Sequence, residues 1–130
     1  MTRALRLATW NVEWFNALFD DSGRVLDDDR PAQRHATSRA DQLAAIAIVM
    51  TAMDADGVMV IEAPDSNGKR SSVRALESFA RKFDLRTREA VTGFRSETEQ
   101  EITFLFDPAR LSARHDPKGA IRFDATWRHD

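Results

Sequence analysis

The uninterrupted apolar run Val58-Met59-Val60-Ile61 limits the possible folds more sharply than any other segment: it ends on Glu62 and meets the turn-forming stretch Ala63-Pro64-Asp65-Ser66-Asn67-Gly68. A short apolar run bounded by turn residues predicts a strand buried on both faces, the pattern found where strands run parallel in an α/β sheet. A partner strand is predicted over Leu5-Arg6-Leu7-Ala8-Thr9-Trp10, leading directly into Asn11 and Glu13. Between the two, Leu43, Ile46, Ala47, Met50 and Met53 recur at helical spacing, so Ser38 to Met53 reads as a helix packed on the sheet. Ser38 is placed to cap its start, and Asp41 puts negative charge in its first turn. The methionines of this stripe are core filler. The unit is a β-α-β crossover, for which the right-handed form is the rule.

Parallel neighbouring strands bring their carboxyl ends to one rim, and ligands of open α/β sheets sit outside that rim. Asn11, Glu13 and Glu62 are therefore expected to emerge together. Two carboxylates and an amide suit a hard cation such as Mg²⁺, which takes oxygen ligands and keeps several waters. The alternative is that each side chain simply ends a strand and faces water.

The rest of the chain adds a second helix and further strands. Asn16 to Thr37 shows no sustained periodicity and reads as a long loop bordering the site, from which Arg30, Arg34 and His35 could reach a phosphate, although the favoured reading is solvated loop charges. Ser71 to Phe83 carries an apolar stripe of Val73, Leu76, Phe79, Ala80 and Phe83 and predicts a helix. Lys69 and Arg70, just before it, could touch a substrate backbone in a phosphoesterase, but the favoured reading is helix-flanking surface charge. Leu85 to Val91 is a modest strand candidate and Ile102 to Phe106 a strong one, ended by Asp107-Pro108; Leu111 and Ile121 to Phe123 seed weaker strands. The polar loop Thr92 to Glu99 contains Arg95, a weak candidate for phosphate contact.

Composition narrows the function classes. At 130 residues a single domain over residues 1–130 is expected, with 42% hydrophobic and 31% charged residues excluding a disordered or membrane class. A net charge of −2 provides no global basic field to recruit nucleic acid, although local phosphate contacts are compatible with it. Without cysteine there is no disulfide framework, thiolate nucleophile or cysteine-based zinc cluster. No segment is long and apolar enough to span a membrane, and the first strand begins too early for a signal peptide, so the expected location is cytoplasmic. No Gly-x-Gly-x-x-Gly or P-loop pattern follows either strand, which counts against a doubly wound nucleotide binder.

Leu7-Ala8-Thr9-Trp10-Asn11-Val12-Glu13, followed by an apolar strand closing on Glu62, resembles the N-terminal half of the endonuclease/exonuclease/phosphatase superfamily, the deoxyribonuclease I-like fold. Glu99 to Pro108 resembles that family's central strand and the turn after it. The resemblance implies an α/β fold: half of a four-layer α/β sandwich, a mixed sheet with two helices packed on one face. It also implies a Mg²⁺-dependent phosphoesterase, of nuclease or phosphatase type, acting on phosphodiester or phosphomonoester bonds, with Mn²⁺ as an alternative ion. Asn11 matches the family's opening Asn, which orients metal and phosphate; Glu62 matches the metal-binding Glu; Glu13 falls where abasic-site endonuclease relatives carry an Asp near the metal. Ile61 stands where the family usually has Gln. The family's catalytic His, Gly-Asp-x-Asn segment and terminal Ser-Asp-His are absent, and His35, His115 and His129 lie in no such context.

The resemblance thus implies half a site, inactive by itself, and an apolar sheet face awaiting the other half. Such a face is expected to bind the missing C-terminal half or to self-associate. The second reading is a non-catalytic α/β binding or interaction module that retains the scaffold.

Overall fold

The computed structural model describes residues 3–33, 36–64, 71–93 and 101–116. Strand β1 (Leu7–Asn11) leads through a 3-10 turn (Phe15–Leu18) and a long connection to helix α1 (Arg39–Met53), and strand β2 (Gly57–Ala63) follows. Helix α2 (Ser72–Lys82) and strands β3 (Glu89–Thr92) and β4 (Glu101–Phe106) complete the described elements. The sheet has four strands in the order β1-β2-β4-β3; β1 and β2 are parallel, and β4 runs antiparallel to both of its neighbours. This is a mixed α/β sheet, as the sequence predicts.

Both helices cover the same side. Ala8 pairs with Val58 and Val58 with Leu105, so these side chains share one face, and they join a single core cluster with Leu43, Ile46 and Met50 of α1 and Leu76, Phe79 and Ala80 of α2. Ser38 caps α1 by accepting from the Asp41 amide, and Ser71 caps α2 by accepting from the Arg74 amide, each satisfying a helix-end donor that has no partner inside the helix. The Phe15 ring meets Phe19 and Phe79 edge to face, with centroids 5.2 Å apart in each case, at the centre of the core.

The opposite face carries Leu7, Thr9 and Asn11 of β1, aligned with Gly57, Met59 and Ile61 of β2 and with Ile102, Phe104 and Phe106 of β4. No helix lies over it among the described residues. Leu7 is 62% and Ile102 55% exposed. The expectation that β2 is buried on both faces therefore holds on one side only: Val58 and Val60 are fully buried, whereas Met59 and Ile61 are half-buried. Phe104 shields part of this face by lying over Gly57, where an added Cβ would come within 2.3 Å of the ring.

Other expectations are corrected in detail. The first strand is shifted two residues at its start and ends on Asn11, because Arg6 instead uses its amide on the buried Asp56 carboxylate. Asn16 to Thr37 is not structureless: the 3-10 turn and the bridges Phe19–Val25 and Pro31–Ser38 fold it back, with Leu18 and Phe19 in the core. The third strand starts at Glu89, not Leu85, since Leu85 donates its amide to the α2 carbonyl of Ala80 and Arg86 turns toward three aspartates. Residues 111–116, seeded by Leu111, form no strand. Arg34, His35, Lys69, Arg70, Arg95 and Ile121 to Phe123 lie outside the described residues.

At the sheet end remote from the β1 and β2 carboxyl termini, the fully buried Asp56 carboxylate accepts from the Arg6 amide at 2.7 Å and pairs with Arg3, Arg86 and Arg110 at 3.0, 2.9 and 3.3 Å. Arg86 also holds Asp107 at 3.0 Å. These contacts tie the N-terminal segment, the α2–β3 connection and the chain after β4 to the start of β2. The Arg6 amide, and then Arg86, hold the Asp56 carboxyl far below the usual carboxylate range, and Asp56 in turn raises Arg86.

Candidate active site at the strand carboxyl ends

The parallel register sets Asn11 opposite Ile61, and the Val12 amide continues the ladder onto the Ile61 carbonyl at 3.1 Å. In unbroken alternation Ile61 would face the open side and Glu62 the helices. The pairing with β4 slips here: Ile61 pairs with Ile102 but Ala63 with Glu101, leaving Glu62 as the extra residue of a β-bulge. Glu62 takes a left-handed backbone, with φ of 60°. Ala63 thereby returns to the buried side, at 1% exposure, and Glu62 swings to Asn11, whose amide nitrogen donates to Glu62 Oε1 at 3.4 Å.

The conformation is costly for a residue with a Cβ. Left-handed backbone costs roughly 1–2 kcal/mol outside glycine, and such strain concentrates where a side chain must be aimed. A second instance flanks the same rim: Trp14, with φ of 62°, turns the chain from β1 into the 3-10 turn and leaves its indole 49% exposed.

The structure therefore brings two of the sequence-derived residues, Asn11 and Glu62, into contact. Glu13 lies exposed beyond the end of β1; its backbone carbonyl accepts from Gln42 Nε2 at 3.3 Å, tying the β1 terminus to α1. Among the described residues no three His, Asp or Glu side chains converge closely enough to hold a metal by themselves. One carboxylate and one amide oxygen nevertheless fit Mg²⁺, which commonly binds through one or two carboxylates and completes its shell with water and substrate phosphate. They would not fit a structural zinc site, which needs four nitrogen or sulfur donors in a closed tetrahedron.

Beside this rim, a groove of about 410 Å³ runs between the end of β1 and α1, lined by Trp10, Asn11, Val12, Glu13, Gln42, Ala45, Ile46 and Val49. Gln42 is a site residue that sequence reasoning overlooked. The available signal was a polar residue one helical turn before Ile46 on the buried side of α1.

Comparison with family models, curated proteins and solved structures finds no match to this chain. The functional reading therefore rests on the residues themselves. No helix of the described residues is long and apolar enough to cross a membrane.

Proposed function

We propose that this chain is the N-terminal half of a Mg²⁺-dependent phosphoesterase of the deoxyribonuclease I-like type, in which Glu62 and Asn11 present oxygen ligands to the ion and Glu13 stands by its water shell. The observation that supports this most is the bulge at Glu62. Of the two carboxylates that the sequence singles out, Glu62 is the one held in a left-handed backbone, and the result is contact with the amide of Asn11. The ion, when bound, supplies Lewis acidity at a phosphoryl oxygen. Glu62 fixes its position, and the Asn11 amide holds the Glu62 carboxylate in the orientation that faces the rim. Activation of the attacking water falls to groups from the other half, which would pack on the open sheet face to complete the four-layer sandwich.

Glu62→Gln is the test, because it keeps the size of the side chain and removes the charge. Binding of bis(p-nitrophenyl) phosphate should depend on Mg²⁺ in the native chain and lose that dependence in the variant. In a complete enzyme the same change should cut turnover by orders of magnitude. Unchanged metal dependence would remove Glu62 from the site.

A non-catalytic interaction module is the second reading, and the exposed apolar face bearing Leu7 and Ile102 is what favours it. A module of that kind has no use for a strained Glu62, so replacing it would leave every binding property intact.

A further inference from the structure

The groove beside the rim has the makings of a binding site that adjoins the Asn11–Glu62 pair through Asn11. Its volume of about 410 Å³ lies within the usual range for small-molecule pockets, on the order of 300–1,000 Å³. Trp10, Ala45, Ile46 and Val49 supply apolar walls, and Gln42 contributes a polar group of defined sense. Gln42 is only 6% exposed, and its amide oxygen is buried without any hydrogen-bond partner. The orientation of the amide is fixed by chemistry: Nε2 donates to the Glu13 carbonyl at 3.3 Å, and the flipped amide would set two oxygens against each other at that distance. The unmet group is therefore an acceptor. A buried acceptor without a donor costs free energy that a suitable ligand recovers.

We propose that this groove binds a planar aromatic group carrying an N–H or O–H donor, with the Gln42 side chain shifting to bring its buried Oε1 to that donor and the ring lying against Trp10, Ile46 and Val49. Asn11 belongs both to the groove and to the Glu62 contact. Where the phosphoesterase reading holds, the groove thus receives the aromatic portion of a phosphate ester whose phosphate sits at the rim; that link rests on the proposed function, while binding of the ring does not. Specificity built on a buried polar group is sharp, because an analogue lacking the donor leaves the acceptor unpaired.

Indole and benzofuran make the test direct, since they share shape and differ in presenting N–H or a ring oxygen. Each is titrated into ¹⁵N-labelled protein without metal. Indole should shift the Gln42 side-chain amide and the backbone signals of Trp10 to Glu13 and of Ala45 to Val49 in a saturable way, and benzofuran should bind about tenfold or more weakly. Val49→Trp, at a position already 40% exposed, fills the groove without disturbing the core and should abolish indole binding while the remaining spectrum is preserved. Equal binding of the two probes, absence of saturable shifts at these residues, or undiminished indole binding by Val49→Trp would each overturn the proposal. Mg²⁺ added afterwards reports on Glu62 separately, so failure of the metal site and failure of the groove are read from different signals.

Discussion

Replacing Glu62 by glycine should relieve backbone strain at little net change in stability, while removing the carboxylate proposed to hold the cation. The left-handed backbone at Glu62, with φ of 60°, carries a Cβ penalty of roughly 1–2 kcal/mol that glycine does not pay. Against this stands the hydrogen bond from Asn11, which at 3.4 Å and in an exposed setting is worth no more than about 0.5 kcal/mol. Glycine also loses more backbone freedom on folding, by roughly 0.5–1 kcal/mol relative to alanine in regular structure. The sum runs from a loss of about 0.5 to a gain of about 1 kcal/mol and centres on a gain of about 0.25 kcal/mol, a rise of about 1 °C in Tm for a chain of this size. Glu62→Ala provides the control, because it removes the carboxylate but keeps the Cβ and therefore the strain. Thermal and urea unfolding of the three proteins should place glycine at or slightly above the native chain and alanine below both. A glycine variant less stable than the alanine variant would show that Glu62 is not held in a strained conformation, and the argument that strain marks the site would fail.

Three further outcomes follow from the packing and the electrostatics. Phe79→Ala removes a fully buried ring that meets Phe15 edge to face and should cost about 3–5 kcal/mol by urea denaturation. Asp56, whose carboxyl is held far below its ordinary value by the Arg6 amide and Arg86, contributes stability that is complete above about pH 4 and is lost as pH falls toward its folded value; Asp56→Asn should therefore be less stable at pH 7 and lose less stability on acidification below pH 4, as followed by circular dichroism. Leu7→Lys with Ile102→Lys charges the open face at positions already 62% and 55% exposed, so sedimentation should show weaker self-association with no loss of secondary structure.

The β1-α1-β2 unit was legible because its signals are local and agree with one another. The Val58 run, the stripe from Leu43 to Met53 and the Ser38 cap all specify the same arrangement, and the parallel register then delivers Asn11 next to Glu62. The third strand was misplaced because Leu85 and Thr87 are both buried and mimic strand alternation, while Arg86 between them answers to Asp54, Asp56 and Asp107, at most 32 residues away in sequence yet joined only by the fold. The folded part of the long connection was hidden for a different reason. Phe15, Leu18 and Phe19 are core residues, but their spacing over a single turn is too short to register as an element. At the site, residue types were readable and backbone geometry was not. Nothing in Ile61-Glu62-Ala63 announces a bulge, since glutamate has no preference for left-handed backbone. Trp14 gave even less warning, being a bulky residue in a conformation that favours glycine.

Paramagnetic Mn²⁺ broadens nearby nuclear magnetic resonance signals and so reports whether Glu62 and Asn11 hold a cation. Substoichiometric Mn²⁺ should broaden the signals of Asn11 and of Ile61 to Ala63 first, excess Mg²⁺ should restore them, and Glu62→Gln should abolish the effect. Broadening centred elsewhere, such as on the Asp27-Asp28-Asp29 segment, or unchanged broadening at Asn11 in the Glu62→Gln protein, would show that Glu62 and Asn11 hold no cation.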